Sequence, residues 1–327
     1  MKKTTIISLL SIVCLTLLIT CTSFDPAMFQ KKPTIQFHSF QFKEITLNDM
    51  TTLFSIEIEN PYPVTLYVDS IQSQIDIDSH TLLSLQSKDS LKLSKHSKAI
   101  KTFAVTITYQ QLLQAVNNYI NRDSIMLSIK GTIGFSLPPS MQIVKPINVP
   151  FTIKQEIPTI KPSIDIAHFK IIPPTLNELA TMVKNRTLTI SMLELNQVFA
   201  DIQAFSQGKS IPDSILQLDI PLSMSFDIII KNKTKALLTG KSIDYNFILY
   251  DTEIAKGKPT IQSVNGTSTI NCLTVLSTKN LSKGIVTALP KKNIHYMMKG
   301  SMLLDASFKD STMPIPFSIN HDGTISW

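Results

Sequence analysis

The chain has 327 residues and a net charge of +7, with 43% hydrophobic and 17% charged residues. This balance is too apolar and too weakly charged for a disordered protein, and the length is sufficient for two domains of ordinary size. Only two arginines occur, and no basic run is interspersed with aromatic residues. The sequence therefore does not favour nucleic-acid binding.

The N-terminus is typical of a secretion signal. Lys2 and Lys3 precede an apolar run over 6–19. This run is shorter than a membrane-spanning helix requires, whereas a basic start and a short apolar core are the usual features of a signal peptide.

The end of this segment resembles a bacterial lipobox, because "LLIT" is followed by Cys21, although Thr20 stands where Gly, Ala or Ser is usual. We predict a lipoprotein signal over 1–20, lipidation of Cys21 and a tether over 21–32. An uncut anchor helix is the alternative. Both place the rest of the chain in the cell envelope beside a membrane. The absence of Asp at position 22 favours the outer membrane or the periplasmic side.

The three cysteines then have separate fates. Cys14 leaves with the signal and Cys21 carries lipid, so only Cys272 remains in the mature chain and no intramolecular disulfide is predicted. Removal of Lys2 and Lys3 lowers the net charge from +7 to +5. A basic balance suits a surface near anionic lipid head groups, and a solvated lysine-rich surface is the alternative.

Several short stretches recur in the same order, which indicates an internal repeat. The offset between them rises from 129 to 172, so the second copy carries about 43 extra residues. We predict domains over 33–157 and 162–327, with an insertion at about 174–219. The recurring pairs are "PTIQFHSFQF" and "PSIDIAHFKI", "FSIEIEN" and "FDIIIKN", "SIKGTI" and "MMKGSM", and "VPFTI" and "IPFSI".

Apolar and polar residues alternate through both copies, which predicts strands with one buried and one solvated face. Several such strands with turn residues between them favour an antiparallel sandwich or half-barrel, in the all-β class. The residues expected to face the core are Ile71, Ser73, Ile75, Ile77, Phe103, Val105, Ile107, Ile125, Leu127, Ile129, Ile243, Tyr245, Phe247 and Leu249.

One helix is predicted in each copy. Thr108 and Gln111 fit a capping box, and the apolar residues that follow share a helical face: Leu112, Leu113, Val116, Tyr119 and Ile120. The second helix is expected to carry Ser277, Leu281, Ile285 and Leu289 and to stop at Pro290. Helical spacing also marks the insertion, either as a hairpin packed on its own domain or as a lid or dimer contact. Its apolar positions are Leu176, Leu179, Val183, Leu195, Val198, Phe199, Ile202 and Phe205.

A strand that ends in Asn60-Pro61-Tyr62-Pro63, with a new strand beginning at once, resembles the WHy domain of group 2 late-embryogenesis-abundant (LEA-2) proteins. The likeness rests on Phe54, Ile56, Ile58, Asn60, Pro61, Pro63, Leu66, Val68 and Ile71. In the second copy only Asn232 of the motif is kept. The resemblance implies an antiparallel β-sandwich-like fold with one helix. The motif itself is structural, because asparagine bonds to its own backbone and proline ends strand pairing.

No catalytic, metal or cofactor motif was found. The histidines at 38, 80, 96, 168, 295 and 321 lack metal-ligand spacing and are expected at sheet edges or on the surface. The acidic pairs Asp76/Asp78 and Glu57/Glu59 are expected on solvated strand faces. Cys272 is expected to be a buried, inert thiol. The sequence therefore does not predict an enzyme.

Two functions remain open. In the first, a membrane-anchored, non-enzymatic envelope lipoprotein binds lipid or another apolar ligand in a groove between sheet and helix, although these inward faces also suit a dry core. In the second, the resemblance implies a stress-protective (desiccation or osmotic) or structural protein that acts through contacts with envelope proteins. Both need a membrane, and neither needs nucleic acid.

Overall fold

The computed structural model describes residues 31–87, 91–138, 147–308 and 311–326. The predicted signal, Cys21 and most of the tether lie outside these residues. In the described residues of 34–158, the first half consists of strands β1 to β8 and one α-helix. They are β1 Thr34–Ile45, β2 Asp49–Glu59, β3 Leu66–Ile77, β4 His80–Ser87, β5 Leu91–Leu93, β6 Lys98–Thr108, α1 Tyr109–Ala115, β7 Ser124–Ser136 and β8 Ile147–Pro158.

The described part of the second half, over 162–326, contains eight more strands and four α-helices. They are β9 Pro162–Ile172, α2 Leu176–Lys184, α3 Leu195–Ser206, α4 Asp213–Leu216, β10 Pro221–Asn232, β11 Leu237–Leu249, β12 Thr252–Gly257, β13 Gln262–Val264, β14 Thr267–Ser277, α5 Lys283–Ala288, β15 Asn293–Phe308 and β16 Ser311–Ser326. The prediction of an all-β fold with antiparallel sheets and few helices is confirmed.

Strand order is the same in both halves. The first half pairs β1-β2-β6 in one sheet and β4-β3-β7-β8 in another, and the second half pairs β9-β10-β14 and β12-β11-β15-β16. The short strands differ, because β5 pairs with β3 whereas β13 pairs with β14. In the second half Phe226 of β10 stacks on Phe247 of β11 with ring centroids 4.5 Å apart, which ties its two sheets together.

The two halves share one sheet. Ile45 of β1 pairs in parallel with Phe317 of β16, which gives the seven-stranded order β12-β11-β15-β16-β1-β2-β6. Beside this pair, the Ser318 hydroxyl donates to a Glu44 carboxylate oxygen at 2.5 Å. The linker between β8 and β9 is fixed as well, because the buried hydroxyl of Tyr119 bonds to both the N–H and the C=O of Ile160 at 3.0 Å.

Helix α1 begins as predicted but ends early. Thr108 and Gln111 form the capping box, and Leu112, Val116 and Tyr119 are buried. The predicted continuation through residue 120 is wrong, since Asn118 adopts a left-handed conformation (φ 57°) and Tyr119–Asn121 form a separate 3-10 turn. Ile120 in this turn is exposed, and so is Leu113 within α1.

The second predicted helix also differs in its start. Ser277 caps a 3-10 turn at Thr278–Asn280, and Ser282 caps α5. Pro290 lies in the 3-10 turn Leu289–Lys291, beyond the end of α5. Proline therefore stops the α-helix where the sequence predicts it, because it has no N–H for an intrahelical bond.

The expectation of a solvated Asp76 is wrong, although its strand alternates as predicted. Its side chain is 2% exposed on the outer face of β3. Gln74 and Thr81 donate to one carboxylate oxygen at 2.6 and 3.0 Å, and the Lys130 ammonium lies 2.9 Å from the other. These neighbours cover the carboxylate and satisfy its acceptor positions, which allows it to remain charged while buried.

Asp76 gives a testable pH dependence. Hydrogen bonds from Gln74 and Lys130 lower the pKa of Asp76 below its ordinary value of 3.8. A lowered pKa means that its stabilising contribution is present above pH 3.8 and is lost as the pH falls through the lower folded-state pKa. We expect the urea midpoint of Asp76→Asn to depend less on pH in this acid range than that of the wild type. Asp244→Asn, at an exposed aspartate, is the control; equal slopes for all three proteins would contradict the assignment.

Candidate apolar groove beside the helical insertion

The Asn-Pro-Tyr-Pro motif forms the turn between β2 and β3. Asn60 is fully buried and donates to the carbonyls of Val64 at 2.8 Å, Ser94 at 2.9 Å and Leu93 at 3.3 Å, while its own Oδ1 accepts the N–H of Tyr62 at 3.0 Å. Pro61 and Pro63 flank the buried Tyr62 between the ends of the two strands. The motif thus anchors a crossing between strands.

Asn232 occupies the matching turn after β10. Its Nδ2 donates to the carbonyls of Ala236 at 2.7 Å and Thr159 at 3.2 Å, and its Oδ1 accepts the N–H of Lys161 at 2.7 Å. Both asparagines therefore bond to the carbonyl four residues ahead. Asn232 additionally fixes the linker between the halves, a role that its sequence neighbourhood does not indicate.

The insertion lies between β9 and β10, where the first half has only a short turn between β1 and β2. Its helices confirm the helical spacing of 174–219. Helix α3 buries Leu195, Val198, Ile202 and Phe205 and packs on β9 of its own half. The expectation that the helices pack on their own domain is met for α3.

Helix α2 is attached less firmly. Thr175 and Glu178 form a capping box, in which the Thr175 N–H donates to the Glu178 carboxylate at 2.7 Å and lowers the pKa of that carboxyl. Leu179 is the fully buried residue of α2, whereas Leu176 remains 37% exposed. Ala180, Met182 and Val183 are partly buried against the core, so α2 is held by one fully buried residue and three partly buried ones.

An open groove of about 730 Å³ separates α2 from the outer face of its sheet. A volume in this range accommodates a small ligand or part of a chain. Its lining combines an apolar sheet side with a mixed helix side: Ile172, Pro173, Pro174, Pro221, Ser223 and Val275 on the sheet side, and Thr175, Asn177, Glu178, Thr181 and Met182 on the helix side.

The sheet side of the groove breaks the usual polar-out pattern. Ser223 pairs with Val275 on one side and with Ile172 on the other, so the three side chains form one row across β14, β10 and β9. Val275 is 59% exposed and Ile172 is 45% exposed, and Leu273 extends the patch along β14. Apolar residues on an outward face, beside α2, make this row a candidate binding surface.

A second hollow of about 760 Å³ lies on the outer face of β3, β4, β7 and β8 in the first half. Its lining is mainly polar, with Gln72, Gln74, Gln86, Lys130 and Thr152 among the residues. It is slightly larger than the groove at α2, but these groups do not suit an apolar ligand. The groove at α2 is therefore the better candidate site for one.

Other predicted positions are separated rather than gathered. His168 lies at a β-bulge, and its Nδ1 is 2.7 Å from the Asp227 carboxylate, which also accepts from Asn271 at 2.6 Å. Within the described residues, no hydroxyl or thiol is bonded to His168, so this pair lacks an attached nucleophile. No group of three or more His, Cys, Asp or Glu in this part of the chain could hold a metal ion.

Cys272 lies in the core, as predicted. It is 6% exposed, and its sulfur lies 3.1 Å from the hydroxyl of Tyr245. Burial raises the pKa of the Cys272 thiol, which disfavours the reactive thiolate. Among the helices of the described ranges, none has both the length and the apolar character that crossing a membrane requires.

Comparison with known proteins bears on the first half. Residues 55–151 match the family model LEA_2, described as "Late embryogenesis abundant protein". Residues 55–151 form a LEA-2 domain. This match contains the Asn60 turn and confirms the predicted LEA-2 resemblance there. The finer likeness to a WHy domain, and a second LEA-2 copy over 162–327, stay predictions.

No curated protein matches the chain. A crystal structure of a protein from Archaeoglobus fulgidus is similar at 10% sequence identity and a TM-score of 0.29, over 39% of this chain and 96% of that one. LEA-2 domains are generally non-enzymatic and are associated with stress or lipid binding.

Proposed function

We propose that this protein is a membrane-anchored, non-enzymatic lipoprotein of the cell envelope that binds a lipid or another apolar ligand. The observation that carries the proposal is the groove between α2 and the row formed by the exposed Ile172 and Val275 and the half-buried Ser223. Anchoring rests on the lipobox-like sequence at Cys21, and the outer membrane or periplasmic side is the proposed location.

The second half is proposed to be a diverged LEA-2 copy. Its strand order repeats that of the LEA-2 domain, and Asn232 makes the same bond to the carbonyl four residues ahead as Asn60. In this view the first half keeps the closed sandwich. The second half has gained α2 to α4 and, with them, a groove that the first half lacks at the matching connection.

Ligand binding is proposed to use the outer face of the sheet rather than its interior. The inward faces are filled by side chains with no exposure, such as Met224, Ile228, Phe247 and Leu304. The groove at α2, in contrast, is open and already holds apolar surface. An acyl chain there would cover Ile172 and Val275 and gain roughly 25 cal/mol for each Å² of apolar surface removed from water.

The test uses a chain that begins at Phe24 and therefore carries no lipid of its own. Native mass spectrometry with lipid extraction is expected to find phospholipid or fatty acid bound, or taken up when added. Val275→Asp should weaken this uptake by about tenfold or more, because an acyl chain would then cover a charge. Val264→Asp is the matched control, since Val264 is an exposed valine (68%) in the same sheet but outside the groove lining.

A stress-protective or structural role through envelope proteins is the alternative. The observation that favours it is the turn between α2 and α3, where Leu193 is 93% exposed and Met192 is 62% exposed. A protein partner would cover such side chains. A clean apo mass with no lipid uptake would contradict the lipid proposal and support this one.

A further inference from the structure

We propose that the end of the first half from which the tether emerges is a basic surface that lies against an anionic bilayer. This inference rests on the proposed anchoring at Cys21 and assigns a second, electrostatic contact with the membrane. The surface, which we call the tether-end surface, consists of Lys31, Lys32, Lys92 and Lys95.

Strand pairing brings these lysines to one end. Thr34, at the start of β1, pairs with Glu59 at the end of β2, which in turn pairs with Lys98 at the start of β6. The turn that carries Lys95 is bonded to the Asn60 motif through Asn60 N–H to Ser97 C=O at 2.9 Å and His96 N–H to Tyr62 C=O at 3.0 Å. Lys92 of β5 lies opposite Tyr67, near the start of β3.

The carboxylates at this end do not neutralise the surface. Lys98 lies 2.7 Å from Glu57 and 3.9 Å from Glu59. Asp69 accepts a hydrogen bond from the neutral Ser136 hydroxyl at 2.8 Å and keeps its charge. The five lysines named at this end, Lys98 included, therefore exceed the three carboxylates by two charges. The four lysines of the tether-end surface are exposed and form no ion pair with any described residue. Their charge therefore remains available to a partner.

The distance of a lysine from the tether end determines whether a bilayer at that end can attract it. The tether over 21–32 reaches at most about 40 Å even when fully extended. Strand β1 has 12 residues and spans about 40 Å, whereas charges in physiological salt are screened over about 8 Å. Lys291 and Lys292 lie beyond the far end of β1, because the adjacent Asn293 pairs with Ser326, nine residues past the Phe317 that pairs with Ile45. They are thus several screening lengths from a bilayer that the tether end touches. Lys279 and Lys283 lie with them around α5 in the second half.

Anionic lipid fits this surface better than a discrete ligand. The four lysines lie on separate segments around one end of the sandwich and do not converge on a cavity. A bilayer presents many negative charges over a wide plane and can meet all of them at once. Each lysine close to such a plane strengthens binding by about fivefold.

The experiment measures co-sedimentation of the chain from Phe24 with phosphatidylcholine vesicles, with or without phosphatidylglycerol. We expect binding to the anionic vesicles that is lost between about 0.1 M and 1 M salt, as the Debye length falls from about 10 to 3 Å. The variant with Lys31, Lys32, Lys92 and Lys95 changed to Gln should bind more than about tenfold more weakly.

The matched control changes Lys279, Lys283, Lys291 and Lys292 to Gln, which removes the same charge from the second half. Equal weakening in both variants would show that net charge alone drives binding and would overturn the proposal. The proposal would also be overturned if the wild type bound equally well with and without phosphatidylglycerol, or if it did not bind at low salt. Urea midpoints of both variants check that the fold is kept.

Ligand binding in the groove at α2 and membrane contact by the tether-end surface can be disproved independently of each other. The vesicle assay uses no lipid anchor, so it is unaffected if Cys21 is not modified, which the intact mass of the membrane-extracted full chain reports. Val275→Asp should lose ligand uptake while it keeps vesicle binding. The lysine variant should show the reverse.

Discussion

Replacing Asn60 with alanine is expected to lower the free energy of unfolding by about 3–5 kcal/mol. The side chain has no exposed surface and makes four hydrogen-bond contacts. The two hydrogens of its NH2 group are shared among three carbonyls, and its Oδ1 accepts one N–H. Alanine removes all four at once. The carbonyls of Val64 and Ser94 lose a donor within the protein, and each buried polar group left without a partner costs about 1–3 kcal/mol.

Urea denaturation followed by circular dichroism measures this effect. Asn320→Ala, at an exposed asparagine on β16, is the control and should change the stability by less than about 0.5 kcal/mol. Asn232→Ala is expected to fall between the two, because Asn232 makes three hydrogen bonds and is less buried. A loss below about 1 kcal/mol for Asn60→Ala would contradict the anchoring role of the motif.

Replacing Gly300 with alanine is expected to cost about 3 kcal/mol, although the change adds only a methyl group. A Cβ at this position would lie 2.2 Å from the carbonyl oxygen of Asp244 and 2.9 Å from the Cα of Tyr245. Both are backbone atoms of β11, paired with β15, so they cannot rotate away as a side chain would. The two strands would have to separate locally and lengthen their hydrogen bonds.

The matching position in the first half behaves in the same way. A Cβ on Gly131 of β7 would lie 2.4 Å from the carbonyl oxygen of Gln72 on β3. Ser301→Ala, at the exposed neighbour of Gly300 on the same strand, is the control. If Gly300→Ala unfolds at the same urea concentration as Ser301→Ala, the close approach of β11 and β15 is not a real constraint.

The fold explains why glycine recurs at the two repeat positions Gly131 and Gly300. The pairing of "SIKGTI" with "MMKGSM" indicates equivalent positions but no reason for glycine. The reason is the approach of a neighbouring strand, β3 in one half and β11 in the other. That strand is distant in sequence, so no local pattern contains the information.

Asp76 illustrates the opposite case, in which a correct local pattern leads to a wrong conclusion. Its alternation with Ile75 and Ile77 places it on the outer face of β3, and the structure agrees. Outer faces are usually solvated. Here the Lys130 and Thr81 side chains of the neighbouring strands β7 and β4 converge on the carboxylate, and only strand pairing brings them together.

The sequence by itself determined the local features of this protein. Period-two alternation located the strands, because one face of a sheet must be buried. The capping box of Thr108 and Gln111 located the start of α1, since the first N–H groups of a helix need acceptors nearby in the chain. The Asn-Pro-Tyr-Pro turn pointed to the LEA-2 domain, and the change of offset located the insertion.

Only the tertiary structure decided how these elements meet. Several contacts join residues that are far apart in the chain. They are the parallel pairing of Ile45 with Phe317, the pairing of β5 with β3, and the row of Ile172, Ser223 and Val275. The groove at α2 and the tether-end surface arise from contacts of this kind. Pairing and packing depend on the shape of the whole fold, which residue patterns within one segment do not contain.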